Sequence, residues 1–82
     1  MFTYTLNEIT HKFGPILVVE SKEARSFPRL VAWDMENDSQ LLLFEAASKS
    51  STKWELVAAS SNKYSNASLA RAAAWRFKQT VI

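Results

Sequence analysis

Cysteine is absent from the 82 residues, which removes a disulfide framework, a thiolate nucleophile and every cysteine-containing zinc site together. Glycine occurs once, at Gly14, so neither a phosphate-cradling loop nor a nucleophile elbow can be assembled. The longest apolar runs are four residues, and "MFTYTLNEITHKFG" has no basic stretch followed by an apolar one. Neither membrane insertion nor secretion is therefore signalled, and cytoplasmic residence is the expectation. In that setting the glycosylation sequons at Asn37 and Asn66 carry no meaning. Low-complexity tracts and Pro/Ser-rich linkers are also missing, which argues against a disordered chain.

What is present is the material for one small core. Hydrophobic residues make up 48% of the chain, including three Trp, five Phe and two Tyr, against 22% charged. A domain of this size buries only about 60 to 65% of the surface of its unfolded chain. A single compact domain over residues 1–82, stabilised by packing alone, is the expectation. Net charge is only +2, but it is unevenly spread. Met1 to Ala47 carries four basic and seven acidic residues, whereas Ser48 to Ile82 carries six basic residues against Glu55 alone. Such asymmetry allows a basic face toward an acidic partner, unless the fold brings the two halves together.

Thr5-Leu-Asn-Glu8 fits a capping box, Leu6, Ile9 and Phe13 follow at helical spacing, and Gly14-Pro15 stops the run. A helix from about Leu6 to Phe13 is expected, with Phe2, Tyr4 and Leu6 as the competing face of an opening strand. "PILVVES" and "PRLVAWDM" read as strands, the second with Leu30 and Ala32 on one face and Val31, Trp33 and Met35 on the other. "ENDS" is turn chemistry. "QLLLFEAAS" suits a helix or a strand; its likeness to "ELVAASSNK" about twelve residues on favours successive strands of a meander. Ser65 or Asn66 caps an alanine-rich last helix whose apolar face is Leu69, Ala70, Ala73, Phe77 and Val81. The expected architecture is an α+β two-layer sandwich: an antiparallel sheet of three to four strands, with a short N-terminal helix and a C-terminal helix on one face. The other face of the sheet then needs a separate explanation, because strand alternation sends Trp or Leu there too.

Catalytic chemistry is not signalled. His11 is the only imidazole and no nucleophile or orienting carboxylate accompanies it, so it reads as a surface histidine. Glu20 with Glu23, and Asp34 with Glu36, are carboxylate pairs with nothing in the sequence to separate their pKa values. Asp34, Glu36, Asp38, Gln40 and Glu45 occupy positions 1, 3, 5, 7 and 12 of a calcium-loop template, but Ser39 replaces the glycine at position 6 and Pro28 spoils the entering helix. An acidic hairpin turn is the better reading, and neither a metal nor a cofactor is expected.

Trp75 lies opposite the apolar side of the last helix, between Arg71 and Lys78. Either it folds over a neighbouring loop, such as the one holding Tyr64, or it anchors a contact, because tryptophan flanked by arginine offers apolar area, cation–π contacts and hydrogen bonds together. "LNEITHKFG" loosely resembles the first helix of the double-stranded RNA-binding domain. The resemblance implies a helix, strands, helix order, but the lysine-rich start of that family's last helix is represented here only by Lys63 and Arg71 in "NKYSNASLAR".

The reading that follows is a small non-enzymatic protein-binding module: an adaptor, inhibitor or regulatory subunit. It acts through Arg71, Trp75, Lys78, Arg76, Lys63 and Tyr64 on an acidic protein partner, with a homodimer as a further option. The alternative is a nucleic-acid-binding module that sets the basic residues of this half against phosphates and stacks Trp75 or Tyr64 on a base.

Overall fold

The computed structural model describes residues 2–19, 29–47 and 52–79. Val81, counted above on the apolar face of the last helix, lies outside the described residues. The elements run β1 (Thr3–Tyr4), α1 (Leu6–Phe13), β2 (Ile16–Val19), β3 (Arg29–Trp33), β4 (Gln40–Ala46), β5 (Trp54–Lys63) and α2 (Ala67–Phe77). One antiparallel sheet has the order β1-β5-β4-β3-β2, so β2 to β5 form a meander and β1 returns to pair with the start of β5. The sheet has five strands, where three to four were expected. The extra one is the two-residue opening strand that the alternation of Phe2, Tyr4 and Leu6 allowed. "QLLLFEA" is a strand, as its likeness to β5 suggested.

The two helices lie on opposite faces of the sheet, which corrects the expectation that both cover one. On the first face Ile9 of α1 packs with Leu30, Ala32, Leu42, Phe44, Ala46 and Trp54, and Tyr4, Phe13 and Ile16 close the edge. On the second, Ala70 and Ala74 of α2 pack with Val18, Val31, Trp33, Leu41 and Leu43. Strand alternation explains the split: β3 and β4 are apolar at consecutive positions, so each presents a buried set to both sides. A sheet with two apolar faces needs a cover on each, and one helix supplies each cover.

Each helix is held in place by local chemistry. The Thr5 hydroxyl accepts the Glu8 N–H at 3.2 Å and the Glu8 carboxylate accepts the Thr5 N–H at 2.9 Å, completing the capping box. The Thr5 backbone N–H first, and then the Thr5 hydroxyl, hold the Glu8 carboxyl below the usual carboxylate range. Glu8 thus favours the folded state at neutral pH, a contribution lost as pH falls through its lowered pKa. Gly14 ends α1 at φ 114°, with its N–H shared between the carbonyls of Ile9 and Thr10. A β-carbon there would run into the Trp33 carbonyl, so backbone conformation and space both demand glycine. At α2, Asn66 Oδ1 accepts the Leu69 N–H at 3.0 Å. At its other end Arg29 donates to the Lys78 carbonyl at 3.0 Å while pairing with Glu45, its cross-strand neighbour, also at 3.0 Å. A cation from the sheet therefore caps the C-terminus of α2.

The apolar side of α2 is turned from its expected setting. Ala70 and Ala74 are buried at its centre, Ala73 and Phe77 are partly buried, and Leu69 is 55% exposed on a flank. Alanines let the helix axis approach the sheet closely, and a leucine at that centre would push it off. Met35 likewise leaves its expected strand face. It sits in the β3–β4 turn and is half exposed.

β5 pairs with β4 irregularly. Only Leu41 separates Gln40 from Leu42, whereas three residues separate their partners Lys63 and Ala59. The bulge is satisfied by Ser60, whose buried hydroxyl accepts the Leu41 N–H at 2.9 Å and donates to the Asn62 carbonyl at 2.7 Å. Gln40 Nε2 adds a bond of 2.8 Å to the Ser60 carbonyl. Replacing Ser60 by alanine strands a buried N–H, so Ser60→Ala is expected to cost about 1–3 kcal/mol in urea unfolding. A loss within error of zero would show that the bulge does not depend on the hydroxyl.

Candidate functional site

The six residues singled out from the sequence fall into two groups, on opposite flanks of α2. Arg71, Trp75 and Lys78 are spaced by four and three positions, so they share one stripe within about 60° of helix rotation. Arg76 lies about 140° from Arg71 around the helix. There it joins Lys63 and Tyr64 in a groove of about 700 Å³ between the end of β5 and α2.

On the first flank the Trp75 side chain is 57% exposed, which answers the question of whether it packs away. Its ring does not lie over Tyr64, which belongs to the other flank. Its ring holds a cation from the end of its own helix: the Lys78 ammonium stands 4.3 Å from the ring centroid. Arg71 is exposed, and α2 contains neither Asp nor Glu, so nothing on the helix neutralises the stripe. Asn66, Ala67 and Ser68 open the helix on uncharged residues, and Arg76 and Lys78 sit at its C-terminal end, where cations suit the helix dipole. One constraint thus places the positive charge and another, the depth of Ala70 and Ala74, turns Trp75 outward.

On the second flank Tyr64 is a packing residue as much as a surface one. Its ring is partly buried against the α2 core, its N–H donates to the Ser39 carbonyl at 2.8 Å, and its carbonyl accepts Trp33 Nε1–H at 3.2 Å. A ring so placed is partly committed to packing while it also lines the groove. Leu69, Ala72, Ala73 and Phe77 form the apolar wall of this groove, and Lys63 and Arg76, both exposed, are its charged members among the described residues. Sequence reasoning placed Leu69 in the core. The signal that would have moved it was Ala74, which completes a narrower Ala70, Ala73, Ala74, Phe77 face.

A second, larger groove of about 1180 Å³ runs between α1 and the β3–β4 turn, past Tyr4, His11, Phe13, Asp34, Met35 and Glu36. Tyr4, Phe13 and Phe44 form an aromatic group with centroids 5.1 to 6.2 Å apart, Tyr4 edge-on to both phenylalanines. The Lys12 ammonium stands 5.4 Å from the Tyr4 ring and 5.6 Å from that of Phe13, so the rings already hold a cation from the same chain. His11 is exposed on this groove. The calcium-loop template does not survive here. Asp34 to Ser39 form a tight turn closed by Ser39 N–H to the Asp34 carbonyl at 2.7 Å, with Asn37 Nδ2 on Asp34 Oδ1 at 3.0 Å. Gln40 and Glu45 lie along β4 and serve Ser60 and Arg29 instead. Among the described residues no group of three or more His, Cys, Asp or Glu is placed to hold a metal, and no helix is long and apolar enough to cross a membrane.

No protein-family model, curated protein or solved structure matches the chain.

An outward Trp75 has a measurable consequence. Trp75→Ala is expected to change unfolding stability by less than about 1 kcal/mol, since it removes only an exposed ring and one cation–π contact. Ala74→Leu, by contrast, overpacks the helix–sheet contact and is expected to cost about 1–3 kcal/mol. Equal losses in denaturant unfolding would place Trp75 in the core.

Proposed function

We propose that the protein is a small non-enzymatic binding module whose partner is another protein, engaged through Arg71, Trp75 and Lys78 on the outward stripe of α2. The observation that carries this reading is the exposed indole between two cations on a helix without carboxylates. Tryptophan and arginine are the residues that dominate binding energy where interfaces have been scanned, because each supplies area and directed polar contacts at once. A stripe of that composition suits an acidic surface with an apolar centre. Cytoplasmic residence remains part of the proposal.

A nucleic-acid role is the weaker alternative, for a geometric reason. Phosphates along one strand call for cations along one track. Here Arg71 and Lys78 lie on one flank of α2 and Arg76 and Lys63 on the other, and Tyr64 is partly committed to packing.

The two readings separate in one pair of experiments. Immobilised protein is expected to retain a partner that Trp75→Ala and Arg71→Glu each lose by tenfold or more, on the order of 1.4 kcal/mol, while both variants stay folded. Anisotropy of labelled single-stranded and duplex oligonucleotides is expected to show no binding at about 50 mM salt. Oligonucleotide binding that collapses by about 200 mM salt, together with partner capture indifferent to Trp75, would transfer the function to the alternative.

A further inference from the structure

The ten residues of β5 meet β1 only at Trp54 and Glu55, so from Leu56 to Lys63 the outer edge of the strand has no strand partner among the described residues. Natural sheets guard such edges with proline, with lysine along the strand, or with a covering element. Before Lys63 and among the described residues this edge has no proline, lysine or covering element: Leu56 is 42% exposed, Ala59 and Ser61 are exposed, and small uncharged side chains leave the backbone approachable. The two bulges of β5 lie in its pairing with β4, where Ser60 and Gln40 satisfy one of them from the inside.

Beside the end of this edge lies the groove between β5 and α2, with an apolar wall of Leu69, Ala73 and Phe77 and with Lys63 and Arg76 as its charges. α2 lies mainly over β2, β3 and β4, and Val57 and Ala58 of β5 pack only at the margin of its core, so the groove opens beside the end of β5. We propose that β5 accepts an extended acidic segment of a partner protein as a sixth strand, with one apolar side chain seated in the groove and carboxylates facing Lys63 and Arg76. Alternation along an added strand delivers both from one segment, since every second side chain turns to the same face. The charges select this occupant over a second copy of the chain. A copy docking edge to edge would present "LVAASSNK", which brings no carboxylate to two cations and adds another lysine. The proposal rests on the reading of the protein as a protein-binding module, but it uses the flank of α2 away from Trp75, so the two sites fail separately.

The test is a selection from a random display library of about twelve-residue peptides on the intact protein, followed by synthesis of the enriched sequences. Enriched peptides are expected to alternate apolar residues with Asp or Glu and to slow amide exchange across residues 56–63. Lys63→Glu and Arg76→Glu are each expected to weaken them about tenfold, and N-methylation of alternate peptide amides is expected to abolish binding in one register and spare it in the other. Binding indifferent to N-methylation in both registers would overturn strand addition. So would peptides that perturb only Arg71, Trp75 and Lys78, although these would leave the proposed function standing. A library without enrichment would overturn strand addition and leave the proposed function, which rests on Trp75 and its own variants, standing. An edge already protected in the free protein, with a dimeric mass by sedimentation, would assign the edge to a second copy and overturn the proposal.

Discussion

Everything in this fold follows from two strands that have no polar side. Leu30 to Trp33 in β3 and Leu41 to Phe44 in β4 are buried at every position, so the centre of the sheet is apolar above and below. Leaving one such face in water would expose several large side chains, each worth about 1.5–3 kcal/mol on burial. Among the described residues two helices are at hand, and each is committed to one face. The consequence is a three-layer arrangement at the centre that thins toward β5. There the burial pattern changes from continuous to mixed, and most residues are half-buried or exposed.

The helices meet that demand differently. α1 is short and contributes one deep residue, Ile9, so an aromatic group of Tyr4, Phe13 and Phe44 fills the remaining space beside it. α2 lies against its face through Ala70 and Ala74, and close approach leaves its other sides in water. What stays outside is Trp75 with two cations on one flank and Leu69 with Arg76 on the other. The surface chemistry of this protein is thus a by-product of how thinly α2 is buried. The binding role proposed above needs only rigid presentation, which a packed alanine seam provides.

Local signals were legible in the sequence wherever one short motif decides the outcome. Thr5 to Glu8 fixes the start of α1, Gly14 fixes its end, Asn66 caps α2, and the turn residues after Asp34 close the β3–β4 hairpin. That Trp75 lies off the apolar side of α2 followed from helical angle, but its exposure did not, because a neighbouring loop could have covered it. The pairing of helices with faces was not legible, because alternation gives two apolar sets per strand without saying which helix takes which. The rotation of α2 was misjudged for a related reason: leucine outweighs alanine in hydrophobicity, yet contact distance favoured Ala74 over Leu69. Charge segregation along the sequence also said little about where the cations would sit. Arg29 from the acidic half caps α2 and pairs with Glu45, and Lys63, Arg71, Arg76 and Lys78 divide between two flanks of α2.

The central claim is that α2 covers the face opposite α1 through its alanine seam and so points Trp75 away from the protein. Methyl nuclear Overhauser contacts of Ala70 and Ala74 test it most directly. The account predicts contacts from these methyls to Val31, Trp33, Leu41 and Leu43, with the Trp75 indole protons reaching only side chains of its own helix such as Lys78. Contacts from the same methyls to Ile9 or Phe44, or from the Trp75 indole to any strand, would contradict it.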